Sequence, residues 1–158
     1  MKKEVKPVPD WMHTVTPHLV CDGAIKAMEF YQKAFGAVEL SKLATPEGKL
    51  MNGCLRIGNS AIMLVDAFPG MGMMDPKALG GTSVSIHLQV EDVDAAFKKA
   101  VDAGATPMMP PADMFWGDRY GVVVDPFGHK WSVATHIKDL THEEILEGSK
   151  TVDCVGSH

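Results

Sequence analysis

Residues 85–91 read SIHLQVE and residues 16–22 read TPHLVCD, so a His-Leu pair recurs after 69 residues. Two further pairs of segments correspond in the same order, namely 27–37 with 95–105 and 62–64 with 131–133. One short match would be weak evidence, but three ordered matches at nearly constant spacing indicate an internal duplication.

Each half of the chain shows the same succession of patterns. An alternating segment is followed by a helical segment and then by three strand-like runs. The first half predicts a strand at 14–21, a helix at 23–35 and strands at 37–44, 49–57 and 60–66. The second half predicts a strand at 83–90, a helix at 92–103 and strands at 105–109, 119–125 and 129–136. The duplicated unit is therefore β-α-β-β-β.

The predicted organisation has two modules with short flanking segments. We expect an N-terminal arm at 1–13, a first module at 14–66, a linker rich in Gly, Pro and Met at 67–82, a second module at 83–137, and a C-terminal helix with a loose tail at 138–158. One helix covers only one face of a four-stranded sheet. The predicted fold class is therefore α+β, with paired curled mixed sheets around a cavity.

Composition excludes several classes of protein. The 158 residues carry 15 basic and 20 acidic side chains, a net charge of −5, and no basic cluster of the kind that binds nucleic acid. No apolar run approaches the roughly 20 residues of a membrane span. The three cysteines form no CxxC pair, which disfavours a disulfide framework. We expect a cytoplasmic protein that binds neither nucleic acid nor membrane.

Four further segments carry a resemblance to a known family. They are AMEFYQKAFG at 27–36, VEDVDA at 90–95, FWGDRYG at 115–121 and DPFGHKW at 125–131. Over residues 14–137 the chain resembles the vicinal oxygen chelate superfamily of glyoxalases, bleomycin-resistance proteins and extradiol dioxygenases, and within it the PhnB-like branch. The resemblance implies two βαβββ modules, a homodimer, and a small-molecule site in the sheet cavity.

The resemblance also marks the positions of the metal ligands. Metal-using members place one ligand in the first strand and one in the last strand of each module, and these positions correspond here to Thr16, Met63, Ser85 and Ser132. None of these side chains is a good ligand for a divalent metal. We therefore expect no cofactor, with a divalent metal as the alternative.

Two histidines stand close to those positions. His18 and His87 lie two residues beyond the first-strand positions, so the strand period of two places them on the same side. As cavity-lining imidazoles they could bind an anionic or hydroxylated ligand, act as a general base or hold a displaced metal. The alternative is a pair of buried histidines that hydrogen-bond the backbone.

A polar and aromatic segment supplies the other candidate binding residues. Trp116, Asp118, Arg119 and Tyr120 are nearly consecutive, and Arg can hold a planar carboxylate while Trp stacks on a flat ligand. The alternative is an internal Asp118–Arg119 contact that fixes the loop. Trp131 is expected in the core, and His129 is expected to brace the turn before it.

The favoured function is binding of a small anionic or oxygen-rich molecule in the sheet cavity without the usual metal. One alternative is a metal-dependent lyase or dioxygenase with relocated ligands around His18 and His87. Another is a drug-sequestering resistance protein. Catalysis itself stays open, and we assign no catalytic residue.

Overall fold

The computed structural model describes residues 3–152. The first half contains β1 (His18–Cys21), α1 (Ala24–Phe35), β2 (Val38–Ala44), β3 (Leu50–Ile57) and β4 (Ser60–Asp66). A 3-10 turn (Pro69–Met71) and the short helix α2 (Pro76–Leu79) follow. The second half contains β5 (Ser85–Gln89), α3 (Val93–Ala103), β6 (Thr106–Asp113), β7 (Asp118–Val124) and β8 (Lys130–His136), and α4 (His142–Ser149) comes last.

The eight strands form two four-stranded mixed sheets. Their orders are β1-β4-β3-β2 and β5-β8-β7-β6, which are the same order in the two halves. The first strand of each half pairs in parallel with the last, and the other pairs are antiparallel. The predicted α+β class with two β-α-β-β-β units is confirmed.

Three elements differ from their predicted extent. β1 begins only at His18, because Pro17 before it has no N–H for a ladder. β6 continues to Asp113, and register shifts around Met109 accommodate the prolines of this edge strand. The segment at 67–82 contains α2 rather than only irregular chain. The predicted loose tail lies partly outside the described residues, and Cys154 lies wholly outside them. The C-terminal helix α4 extends to Ser149 and begins with a capping box between Thr141 and Glu144.

Each module anchors the start of its helix to the end of its own last strand. The buried Asp66 at the end of β4 accepts hydrogen bonds from the backbone N–H groups of Gly23 (3.0 Å) and Ala24 (3.2 Å). Thr135, which stands 69 residues later in β8, accepts from the N–H of Val93 (2.8 Å). Both side chains satisfy donors that a helix N-terminus leaves unpaired. The residue that caps the helix therefore lies at the same position in both modules, but it is a carboxylate in the first and a hydroxyl in the second.

The two modules meet in an aromatic core. α1 packs against α3, and Trp131 of β8 is fully buried beside Tyr31 (ring centroids 5.1 Å apart) and Phe35 (4.6 Å) of α1. Phe30 and Phe127 extend this cluster. The prediction that Trp131 belongs to the core is confirmed.

One buried carboxylate organises this core. Asp125, only 4% exposed, accepts the Tyr31 hydroxyl (2.5 Å) and Trp131 Nε1–H (2.9 Å) at one oxygen. Its other oxygen accepts the backbone N–H groups of Phe127 (2.9 Å) and His129 (3.0 Å). Burial, together with the charge of Asp125, raises the pKa of Tyr31. The carboxylate thus joins the β7–β8 turn of one module to the helix of the other.

Two further features of the fold are the burial of the cysteines and the length of the helices. Cys21 is fully buried in β1 and Cys54 is buried in β3, and burial raises the pKa of both thiols. Among the helices described, none is long and apolar enough to cross a bilayer.

Candidate functional site

A cleft of about 750 Å³ lies between the edge strands β1 and β5. The stretch from Pro17 to Val20 forms one wall, and residues 81–87 form the opposite one. Met74, Pro76 and Leu79, from the segment that joins the modules, complete the lining. The cleft is therefore built from both modules and from the connection between them.

Histidines are the ionisable side chains of this cleft. His18, His87 and His129 line it, and its fifteen lining residues include no Asp, Glu, Lys or Arg. The chain as a whole carries a net charge of −5, so this composition is unusual for its surface. We call this feature the histidine cleft. It becomes positively charged whenever an imidazole gains a proton.

His129 joins the two sides of the cleft. Its Nε2 lies 2.8 Å from the carbonyl oxygen of Val20, so the ring must donate there. Its backbone N–H binds the buried Asp125. His129 braces its turn as expected, and it additionally connects that turn to β1 of the other module.

The strand registers place His18 and His87 in equivalent positions. Met63 of β4 is the Cα partner of His18, and Ser132 of β8 is the Cα partner of His87. Thr16 precedes β1, and Ser85 is paired with Lys130. Neither residue is therefore the strand partner of Met63 or Ser132. The positions paired with Met63 and Ser132 are thus the two histidines.

Both ring nitrogens of His87 have hydrogen-bond partners. Nδ1 lies 2.7 Å from Ser132 Oγ, and Nε2 lies 3.0 Å from the amide oxygen of Gln89. In the neutral ring Nε2–H donates to Gln89 and Nδ1 accepts the Ser132 hydroxyl. In the protonated ring both nitrogens donate. The ring can therefore change charge without losing either partner.

Three further predicted residues continue from His87 across the second sheet. Tyr120 stacks on His87 with the ring centroids 6.1 Å apart, and Trp116 meets Tyr120 edge-on at 5.6 Å. Trp116 Nε1–H donates to Asp118 (3.2 Å). Gly117 between them has φ +102°, and a Cβ there would overlap the Lys138 carbonyl oxygen. The structure thus brings His87, Tyr120, Trp116 and Asp118 into one connected group.

Arg119 lies apart from that group. Its guanidinium binds both carboxylate oxygens of Asp94 (2.8 and 2.9 Å) on α3 and also Asp113 (3.0 Å). These contacts lower the pKa of Asp94 and raise that of Arg119. Arg119 points to the helix side because strand neighbours alternate in direction. It contacts neither Asp118 nor the histidine cleft, so both interpretations offered for it miss its actual partners.

His136 ends the polar group at Asp118. Nδ1 lies 2.8 Å from Asp118 and Nε2 lies 2.8 Å from Asp139, and hydrogen bonds to Asp139 and Asp118 raise the pKa of His136 above 6.5. Because the pKa of His136 is raised in the folded state, its contacts with Asp118 and Asp139 stabilise the folded state fully below about pH 6.5. This contribution is lost as the pH rises through the pKa that His136 has in the folded state.

We therefore expect His136→Gln to lower the melting temperature more at about pH 6 than at about pH 9, where wild type and variant should converge. His142→Gln, a change at an exposed histidine at the start of α4, is the control. Melting curves across this range check the prediction, and a pH-independent difference would contradict it.

Comparison with known proteins identifies the family. Residues 12–133 match the sequence model of the Glyoxalase/Bleomycin resistance protein/Dioxygenase superfamily. The chain belongs to this superfamily. The predicted resemblance to glyoxalases, bleomycin-resistance proteins and dioxygenases is confirmed.

Other proteins are similar to this chain in sequence or in fold. The protein Rv0887c of Mycobacterium tuberculosis is 50% identical over 134 residues, covering 83% of this chain and 79% of that protein. The X-ray structure of At5g48480 from Arabidopsis thaliana has a TM-score of 0.63 at 28% identity and covers 78% of this chain and 98% of that one. The PhnB protein from Bacillus cereus shares the fold with a TM-score of 0.60 at 19% identity, covering 78% and 99%.

The site of this superfamily member does not fit a divalent metal well. At the two equivalent positions of the sheets, His18 is paired with Met63 and His87 is paired with Ser132. A thioether and a hydroxyl are weak ligands for hard or borderline divalent ions, and His87 already has partners at both nitrogens. Within residues 3–152, no three His, Cys, Asp or Glu side chains come together in a metal-binding group.

Several site residues were missed at the sequence level. Gln89 follows His87 by two strand positions, so the period of two could have placed it on the same face. The contacts of His129 and His136 can be identified only from the fold, because their partners Val20 and Asp118 lie 109 and 18 residues away in the sequence.

Proposed function

We propose that this protein binds a small anionic, oxygen-rich molecule in the histidine cleft without a divalent metal. The observation that carries the proposal is the lining itself, in which three histidines are the ionisable side chains and no carboxylate is present. A protonated imidazole stabilises an anion by charge and by hydrogen bonding. The absence of carboxylates from the lining removes local repulsion.

The rest of the lining defines the size and polarity of the molecule. Leu19, Met74, Leu79 and Ile86 provide an apolar wall, and the hydroxyls of residues 82, 83 and 85 provide neutral hydrogen-bond partners. A volume of about 750 Å³ lies within the usual range for a small-molecule site. These features favour a short organic acid with hydroxyl or oxo groups and an apolar tail.

The ionisable groups of the cleft determine the expected pH dependence. His18, His87 and His129 are the ionisable side chains of its lining, and an imidazole carries a positive charge only in its protonated form. We assign binding roles to these residues and a catalytic role to none. If the ligand is also turned over, the superfamily offers lyase and dioxygenase chemistry.

The test is calorimetric titration with 2-oxoisocaproate, an anionic 2-oxo acid with an apolar tail, and with catechol, a neutral compound with vicinal oxygens. The acid should bind more tightly at about pH 5.5 than at about pH 8, whereas catechol should show little pH dependence. His18→Ala should weaken acid binding about tenfold, since a hydrogen bond to a charged group contributes about 1.5–3 kcal/mol. His87→Ala should weaken acid binding less, since both ring nitrogens of His87 have partners within the protein and only the charge of the protonated ring is removed.

His142→Ala, a change outside the cleft, should leave the affinity for 2-oxoisocaproate unchanged. Unaltered binding by both cleft variants, or no saturable binding, would overturn the proposal. Elemental analysis that finds about one metal per subunit, lost in the double variant of His18 and His87, would instead favour the metal-dependent alternative.

We also propose a homodimer in the cytoplasm. Val38, Leu43 and Met51 expose apolar side chains on β2 and β3, and in the described part of the chain β2 and β6 each pair on one side only. Exposed apolar strand edges favour association. Light scattering should give about twice the chain mass of 17.1 kDa, and a monomer at all concentrations would contradict this.

A further inference from the structure

A second cleft of about 750 Å³ opens beside the first. The C-terminal end of α1, the β3–β4 turn, β5 and α3 supply most of its walls, and His13 and Val15 of the N-terminal arm border it. It shares Pro17, Ile86 and His87 with the histidine cleft. The two spaces are therefore neighbours separated by β5 residues, with largely different linings.

The lining of this second cleft is apolar and aromatic on one side. The apolar lining comes from both modules, with Ile57 and Ile62 from the first and Leu88 from the second. The partly exposed Phe35, with the fully buried Trp131 packed against it, forms its aromatic base. The rings of Phe35 and Trp131 are 4.6 Å apart, and Trp131 is fully buried, so the base is fixed by core packing. Such a surface suits a flat apolar body.

The charged side chains of this cleft are basic. Lys99 of α3 lines it with His13 and His87, and its nineteen lining residues include no Asp or Glu. The Lys99 Nζ lies 3.8 Å from the position that a Cβ would take on Gly36, which places the ammonium beside the end of α1 next to Phe35. We call this feature the lysine cleft. Its cation and its aromatic base therefore stand side by side.

Neutral hydrogen-bonding groups complete the lining. Asn59 and Ser60 come from the β3–β4 turn, and Gln89 comes from β5. They can bind polar atoms of a ligand without contributing negative charge. The ammonium and the neutral polar groups can therefore bind the charged end of a ligand. The apolar base can pack against its other end.

We propose that the lysine cleft is a second binding site, which takes a flat aromatic carboxylate with its carboxylate at Lys99 and its rings over Phe35. The ligand class follows from the charge and shape of the lining. The site is separate from the histidine cleft, whose proposed ligand is a smaller oxygen-rich acid held by His18.

The test uses 2-naphthoate as the probe and 2-naphthamide as its uncharged counterpart, titrated against the full chain and followed by NMR. We expect saturable 2-naphthoate binding that Lys99→Met weakens about five- to tenfold, because the charge-assisted contact to a partly exposed ammonium is removed. Binding of 2-naphthamide should be weak in the wild type and unchanged by Lys99→Met. Contacts from the ring protons should reach the methyl groups of Ile57 and Leu88, which are partly exposed in the lining.

Two variants serve as controls and separate this proposal from the first. Lys98→Met removes the neighbouring cation, which is bound to Asp102 on the surface, and should leave 2-naphthoate affinity unchanged. His18→Ala changes the histidine cleft alone and should weaken 2-oxoisocaproate but not 2-naphthoate. No saturable 2-naphthoate binding, equal effects of the two lysine variants, or loss of 2-naphthoate binding in His18→Ala would overturn the assignment.

Discussion

Asp125→Ala should lower the free energy of unfolding by at least about 3 kcal/mol, since each buried group left without a partner costs about 1–3 kcal/mol. The substitution removes the acceptor for the Tyr31 hydroxyl and for Trp131 Nε1–H in the core. It also leaves the N–H groups of Phe127 and His129 without their shared acceptor. Urea denaturation at neutral pH measures the effect.

Two companion variants separate the causes of this loss. Asp125→Asn keeps the shape and one carbonyl acceptor, so it should cost less than the alanine change. Asp22→Ala, an exposed aspartate before α1, should change stability by less than about 1 kcal/mol. A loss in Asp125→Ala no larger than that in Asp22→Ala would show that the carboxylate does not join the modules.

Trp131→Ala should destabilise the protein by about 3–5 kcal/mol, the usual cost of removing a fully buried large aromatic side chain. Trp131 is fully buried, contacts both Tyr31 and Phe35 of the other module, and donates to Asp125. The change leaves a cavity and removes one of the two donors to that Asp125 oxygen, which keeps the Tyr31 hydroxyl. Thermal and urea unfolding should both report the loss.

Trp11→Ala is the matched control for this experiment. Trp11 lies on the N-terminal arm with 44% of its surface exposed, so its removal should cost no more than about 0.5 kcal/mol. Trp131→Phe should recover part of the packing but not the hydrogen bond to Asp125. Similar losses for the alanine variants of Trp11 and Trp131 would contradict the assignment of Trp131 to the core.

The fold was predictable because its signals are periodic and repeated. The 69-residue spacing relates His18 to His87 and Met63 to Ser132 in the sequence, and the helix caps show that it also relates Asp66 to Thr135. Helix bounds agree to within about a residue because Gly36 and Gly104 end both helices. The strand predicted at 105–109 is shorter than β6, because the prolines of this segment are typical of a loop. The register shifts that accommodate them are visible only in the structure.

The site was predictable only in part, because registers and contacts between distant residues have no local signal. Contacts join His87, Tyr120, Trp116 and Asp118 into one group, but of these four residues only His87 lines the histidine cleft, and the predicted binding roles of the others stay predictions. Arg119 was grouped with its neighbours, although strand alternation alone places it on the opposite face from residues 118 and 120. The linings of the two clefts combine side chains from both modules, and only the three-dimensional structure assembles them.

The anchoring of each helix by its own last strand has a consequence for how chains can assemble. Asp66 and Thr135 make their hydrogen bonds within their own modules, whereas the hydrogen bond from Tyr31 to Asp125 is made between the modules. A module from one chain could therefore make the same contacts with the complementary module of a second chain. The segment from 67 to 84, whose length and stiffness limit how far apart the modules can move, then selects between the closed monomer and an exchanged pair.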